Sequence, residues 1–277
     1  MAGGGEGRGV VTRAILEALR AGVPPSGSAD DAFGLDLEFR ERIAPIFRLL
    51  HDRYWRIEVS GMRHLPTHGP VIMVANHSGA IPFDGAMICT TIDLHADIVV
   101  RYLYDRFVQG VSAVDSFYRR TGGVVAARAN ASAVLEQGAH LLIFPEGVPG
   151  VAKTFDDRYR LRPFSSGFAR LAMAHDIPVV PIAVVGAEEI YPVVARAEGV
   201  QESLGVPYIP ITPFFPLLGI LGAIPLPTKW FIRIGKPMSL GRSGDEGRAK
   251  QVTAVVRRKL QAMVTRLKQR RRSIFFG

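Results

Sequence analysis

Val71-Ile72-Met73-Val74-Ala75-Asn76-His77-Ser78-Gly79-Ala80-Ile81-Pro82-Phe83-Asp84 is an uninterrupted apolar run that breaks into small and polar residues. Continuous hydrophobicity over 71–76, without alternation, is what a strand buried on both faces requires. Upstream, WRIEVSG (55–61) alternates like a strand, after helical patterns at 10–22 and 35–53, the second with Phe39, Ile43, Ile46, Phe47 and Leu50 on one face. Downstream, DIVVR (97–101), HLLIF (140–144), IPVVPIAVV (177–185) and WFIRIG (230–235) read as strands. Helical stretches at 85–92, 102–109, 130–138 and 165–175 separate them, and a long helix spans 246–270. Strands alternating with helices predict an α/β domain whose mostly parallel central sheet is flanked by helices on both faces. The chain divides into a flexible N-terminus with a short helix (1–30), the α/β domain (31–245) and a basic amphipathic C-terminal helix (246–277).

Composition narrows the possible partners. The 277 residues suffice for one large domain or two small ones. Hydrophobic residues make up 48% and charged residues 21%, which excludes a disordered or collagen-like chain. One cysteine, Cys89, excludes an intrachain disulfide framework and a Cys-rich zinc site, and suits a reducing compartment. Lys plus Arg (34) exceed Asp plus Glu (25), and the net charge of +9 implies a polyanionic partner. The candidates are nucleic acid, an anionic membrane face or a phosphorylated substrate. No RNA-reading motif accompanies the charge, so no nucleic-acid partner is expected. MAGGGEGRG lacks the apolar core of a secretory signal.

Two stretches could meet lipid. Residues 203–228 carry no charge, but six prolines interrupt them and the longest Pro-free run, 217–224, is only eight residues. A spanning helix needs about 20 apolar residues, so the stretch reads either as a loop on the core or as a surface that dips into lipid or walls an acyl groove. The tail 248–277 holds ten basic and no acidic residues. Val252, Val255, Val256, Leu260, Met263 and Leu267 form an apolar face beside Arg257, Arg258, Lys259, Arg266, Lys268 and Arg270–Arg272. At about 1 kcal/mol per basic residue near an anionic leaflet, this cluster could dock on a membrane. The same face could equally join the core.

Three clusters carry the candidate chemistry. The run 71–76 delivers His77 to the carboxyl end of a strand, where open α/β sheets place their ligands. Ser78, Gly79 and Ala80 leave room for a substrate. Asp84, at the start of the next helix, could hold one imidazole nitrogen and free the other to take a proton from a hydroxyl; the alternative is a helix N-cap beside a loop histidine. In Arg119-Arg120-Thr121-Gly122-Gly123, continuing to Arg128, the glycines allow close backbone approach and an arginine can hold a phosphate. In Phe144-Pro145-Glu146-Gly147, a carboxylate fixed at a strand end can accept hydrogen bonds from a polar ligand, or can close a tight turn with a solvated Glu.

In this order, ending in Ile177-Pro178-Val179-Val180-Pro181-Ile182, these blocks resemble the glycerolipid acyltransferase family. That family includes lysophosphatidate acyltransferases and the mono- and diacylglycerol acyltransferase-like branch. The resemblance runs from about 55 to 240 and is most specific at Phe-Pro-Glu-Gly and the Pro-containing strand. It implies a glycerol-3-phosphate acyltransferase-like fold. It also implies that His77 is the general base, oriented by Asp84, for direct attack of an acceptor hydroxyl on the thioester of acyl-CoA or an acyl carrier protein. Arg128 with Gly123, and Glu146 with Gly147, would bind the acceptor head group, and Pro181 would shape the pocket floor. No metal or bound cofactor is implied; the partners would be acyl-CoA, a glycerolipid acceptor and an anionic membrane surface. The implied location is peripheral (monotopic) on the cytoplasmic membrane face, with no signal peptide or transmembrane helix.

Two departures stand out. The family pattern places four residues between His and Asp, whereas six separate His77 from Asp84. Phosphate-binding members continue Phe-Pro-Glu-Gly with Thr-Arg, whereas this chain has Val148-Pro149. Lys153, Arg158, Arg160 and Arg162 follow closely and could substitute for the lost arginine; otherwise a neutral acceptor fits. The stretched His–Asp spacing also motivates an alternative, a non-catalytic lipid-binding protein with the same fold. A serine hydrolase is disfavoured because no Gly-x-Ser-x-Gly elbow occurs.

Overall fold

A computed structural model describes residues 31–78, 81–197, 209–215 and 217–276. The expectations for 1–30, including the helix at 10–22, and those for Gly79 and Ala80 lie outside the described residues. In chain order the elements are α1 (Leu37–Leu49), β1 (Glu58–Ser60), β2 (Ile72–Ala75), α2 (Phe83–Ala96), β3 (Val100–Tyr104), α3 (Ser112–Arg120), β4 (Gly123–Val125) and α4 (Arg128–Glu136). They continue with β5 (His140–Ile143), α5 (Gly167–His175), β6 (Val179–Val185), β7 (Ala195–Ala197), β8 (Ile209–Ile211), β9 (Phe231–Ile234) and α6 (Glu246–Arg270).

Seven strands form one sheet in the order β1-β9-β6-β2-β5-β3-β4. The five from β6 to β4 are mutually parallel, while β9 runs antiparallel to β6 and carries β1 parallel to itself. The quoted run explains itself in this setting. Ile72 and Val74 enter a core shared with α4, α5 and α6, whereas Met73 and Ala75 enter the opposite core with α2, Trp55 and Trp230. Successive side chains alternate faces, and both faces are covered, so every position must be apolar.

Two expectations are corrected. The strand proposed at 97–101 lies at Val100–Tyr104, because Asp97 closes α2 in the left-handed conformation (φ 51°). The helix proposed at 102–109 gives way to strand pairing, followed by one short turn at Arg106–Gly110 capped by Asp105. Tyr102 and Tyr104 suit a pleated surface, and pairing with both neighbours outweighs the local helical period. For the C-terminal helix, the second of the two readings left open holds: its apolar face joins the core. Val252, Val256, Leu260, Met263, Val264 and Leu267 are buried in the core with α5 and β6, while Val255 is exposed. The apolar face that could have met lipid is already covered by protein.

Among the described residues no helix is long and apolar enough to cross a membrane. The parallel arrangement brings the residues after β2, β5 and β6, three neighbouring strands, to one carboxyl edge. Those residues are His77, Phe144–Gly147 and Gly186–Glu189.

Candidate active site

Asn76 sets the exit of β2. Its buried side chain donates to the Val184 carbonyl at 3.0 Å and accepts from the Val184 N–H at 2.8 Å, clamping the end of β2 to β6. His77 therefore leaves the sheet in a fixed direction. Its Nδ1 lies 2.8 Å from Oδ2 of Asp84, which is wholly buried. The same oxygen accepts from Ser78 N–H at 2.8 Å and Ser78 Oγ at 3.3 Å, and Oδ1 accepts from Gly85 N–H at 2.8 Å. Asp84 is not the helix N-cap; that position is Pro82, and Asp84 stands inside the first turn of α2. Asp84 thus reaches His77 across the six-residue spacing.

A carboxylate only accepts hydrogen bonds, so in the neutral imidazole the proton sits on Nδ1 and Nε2 keeps its lone pair. The imidazole stacks on Phe144, with centroids 4.1 Å apart and planes 24° from parallel. Nε2 has no hydrogen-bond partner among the described residues. The ring is held on one face and at one nitrogen, and its side chain is 15% exposed. Nε2 is thus the ring atom left to meet a group arriving at the sheet edge.

Glu146 supports the imidazole from behind. Its Oε1 accepts from His77 N–H at 2.9 Å and its Oε2 from Arg162 N–H at 2.7 Å. Lys153 Nζ lies 3.2 Å from Glu146 Oε2 and 2.9 Å from Glu188 Oε1, and the second Glu188 oxygen accepts from Tyr159 N–H. Both Glu146 oxygens are therefore engaged within the protein, one of them on the backbone N–H of His77. The Gly147 backbone (φ 59°, ψ −152°) lies in a region essentially reserved for glycine. It starts a single helical turn, Val148–Val151, that folds over the site. A Cβ on Gly150 would lie 2.7 Å from Glu146 Cβ and 2.9 Å from His77 Cβ, so only glycine fits beneath that turn.

Burial pushes the Glu188 carboxyl up to about 7, against the opposing pull of Lys153. Burial opposes the charge of Lys153, but Glu188 and Glu146 together outweigh it and hold the amine above its usual value. Lys153→Met would leave two carboxylates facing each other without their cation. The expected cost is about 3–5 kcal/mol of stability, read from the urea midpoint; a near-neutral effect would show that the pair does not depend on Lys153.

The remaining sequence candidates lie elsewhere. Gly123 opens β4, where an added Cβ would come within 2.7 Å of the Tyr118 carbonyl and 3.0 Å of the Tyr102 ring. Its lack of a side chain serves aromatic packing. Arg128 begins α4, exposed and without a side-chain partner among the described residues. It shares the carboxyl edge with His77, but β4 is three strands from β2, about 14 Å away. Pro181 pairs in register with Val74 and its carbonyl accepts from Gly235 N–H at 2.8 Å, so it is buried inside the sheet, three residues behind the level of His77. Arg162 pairs with Asp157 at 2.7 Å and Arg158 lies over the Phe155 ring, leaving Arg160 exposed. Burial pushes the Cys89 thiol up to about 12, which leaves it inert as a nucleophile. Among the described residues, no three His, Cys, Asp or Glu residues are grouped to hold a metal ion.

A mostly parallel α/β sheet with a His–carboxylate pair at its carboxyl edge places that pair where open α/β sheets bind their ligands. Comparison with known proteins identifies the family. The family model Acyltransferase matches residues 56–185. An uncharacterized protein of Mycobacterium leprae is 38% identical over 256 residues, covering 89% of this chain and 70% of that protein. The 1-acyl-sn-glycerol-3-phosphate acyltransferase alpha of Homo sapiens is 28% identical over 154 residues, covering 52% of this chain and 51% of that enzyme. The crystal structure of the 1-acyl-sn-glycerophosphate acyltransferase PlsC from Thermotoga maritima shares the fold, with TM-score 0.54 at 18% identity over 94% of this chain and 91% of that one. The chain belongs to the glycerolipid acyltransferase family and is an acyltransferase of lipid metabolism.

Proposed function

We propose that the chain moves a fatty acyl group from an acyl thioester, acyl-CoA or acyl carrier protein, to a hydroxyl of a glycerolipid, with His77 as general base. The observation that carries this reading is the 2.8 Å Nδ1–Asp84 bond beside an unpartnered Nε2. Nε2 takes the hydroxyl proton as the acceptor oxygen attacks the thioester carbonyl. The C–O bond forms, the C–S bond breaks, and the imidazolium returns its proton to the departing thiolate. Asp84 keeps Nδ1 protonated and stabilises the imidazolium. No acyl-enzyme intermediate is needed. The formed His–Asp pair favours this reading over a catalytically silent lipid-binding protein, for which that contact has no use.

The acceptor we propose is neutral. The human relative is named for a phosphorylated one, but here Val148-Pro149 stands where a Thr-Arg would grip phosphate. Of the nearby cations, Lys153 is buried between two carboxylates, Arg162 is paired with Asp157 and Arg158 lies over Phe155, which leaves Arg160 alone exposed. Labelled acyl-CoA offered with lysophosphatidate, monoacylglycerol or diacylglycerol is expected to acylate a neutral glyceride preferentially. A preference of about tenfold or more for lysophosphatidate, the worth of one charge-assisted hydrogen bond, would overturn the neutral assignment.

A further inference from the structure

Several apolar side chains in the described part of the uncharged stretch face outward. Leu217 is 83% exposed, Leu221 65% and Ile224 56%, with Phe214 and Leu218 also open to solvent. Water contact for so many clustered apolar side chains is unfavourable, and such a patch marks an interaction surface.

This knob is rigidly built. Thr212 Oγ1 accepts from Phe214 N–H at 3.2 Å and Phe215 N–H at 2.9 Å, and Leu218 N–H donates to the Phe214 carbonyl at 2.7 Å. A Cβ on Gly222 would fall 2.3 Å from the same carbonyl, so the loop closes tightly on itself. Its base is tied to the core. Tyr54 Oη donates to the Pro225 carbonyl at 2.5 Å, Trp55 Nε1 to the Leu226 carbonyl at 3.1 Å, and Leu226 N–H to the Ile190 carbonyl at 2.9 Å.

A second apolar element meets it. Arg56 donates through one nitrogen to the Pro227 carbonyl at 3.0 Å and the Phe275 carbonyl at 2.6 Å, which brings the chain end beside the knob with Phe276 89% exposed. Exposed Arg53 and Arg272 lie in the adjoining segments. Because β9 runs antiparallel to β6, with Phe231 opposite Val185, the chain enters β9 at the carboxyl edge of β6. The knob therefore projects from the same edge of the sheet as His77, and β9 is two strands, about 10 Å, from β2.

We propose that Phe214, Leu217, Leu218, Leu221 and Ile224, with Phe275 and Phe276, form a docking surface for an anionic lipid bilayer, inserting their apolar side chains while the neighbouring arginines meet acidic head groups. Charge selects this occupant: the chain carries +9, and residues 248–277 hold ten of its basic side chains and no acidic one. Docking this way turns the His77 edge toward the leaflet. The inference goes beyond acyl transfer, and its test needs no turnover.

The test is flotation of the full chain with vesicles of phosphatidylcholine, alone or mixed with phosphatidylglycerol. Wild type is expected to float with the anionic vesicles. The combined variant Leu217→Ser, Leu221→Ser, Ile224→Ser is expected to lose at least about tenfold in partitioning. Val114→Ser, an exposed apolar site on α3, serves as control, and His77→Ala is expected to float like wild type. Circular dichroism checks that the triple variant is folded. Undiminished flotation of that variant overturns the proposal. So does a wild-type dimer on gel filtration that the variant converts to monomer, because the occupant would then be a second copy.

Discussion

His77→Ala is expected to fold normally and to lose about 10²–10⁴-fold in acyl transfer, the usual contribution of a positioned general base. The fold should survive because the ring sits at the sheet edge and little depends on it. Asp84 keeps its bonds from Ser78 and Gly85, and Glu146 bonds the backbone N–H of residue 77, which alanine retains. The losses are the Phe144 stacking and one hydrogen bond, a cost of about 1–3 kcal/mol. Thermal melting separates that cost from the catalytic loss, measured as thiol release from acyl-CoA. Turnover at the wild-type rate would remove His77 from the mechanism.

Asp84→Asn should be nearly as damaging, although it removes no heavy-atom volume. Both carboxylate oxygens accept from N–H donors: Oδ2 from His77 Nδ1 and Ser78 N, and Oδ1 from Gly85 N. An amide must turn its NH2 toward one of these sides. If it faces His77, it donates to Nδ1 and selects the tautomer with the proton on Nε2, which can no longer act as base. If it faces Gly85, two donors oppose each other in a buried site. Either arrangement also removes the negative charge that stabilises the imidazolium. The expected loss is about 10²–10⁴-fold in kcat, with vesicle binding unchanged. A variant with near wild-type kcat would show that Asp84 does no more than anchor α2.

Much of the architecture was legible because the strands of a doubly covered sheet have to be apolar throughout. Ile72–Ala75, Val179–Val185 and, after the polar His140, the rest of β5 are such runs, and each lies within a stretch read as a strand. The long final helix was legible from its spacing, at Glu246–Arg270. What its sequence did not show is that the apolar face belongs to the core, since a buried stripe and a membrane-facing one look alike. The helix Ser112–Arg120 and the strand Gly123–Val125 went unread because the helix is short and the strand has three residues. Their tyrosines and glycines make sense only in contact.

The site was half legible. His77 and Asp84 could be paired from their places after a buried strand and at a helix start. The buried ion group could not, because Lys153 lies among several basic residues and looks like one more phosphate grip. Glu188 carried the same signal as Glu146, a carboxylate just past a buried strand, and that signal went unused. Phe144 was visible only as part of a motif, and its stacking on the imidazole depends on the angle at which β5 leaves the sheet.

One progress curve tests the central claim most directly: thiol liberated from acyl-CoA by wild-type protein on anionic vesicles, before and after a glyceride acceptor is added. Direct transfer through His77 calls for negligible release and no burst beforehand, then release matching acylated glyceride mole for mole. Protein that floats with the vesicles yet liberates no thiol when the acceptor arrives would contradict the account.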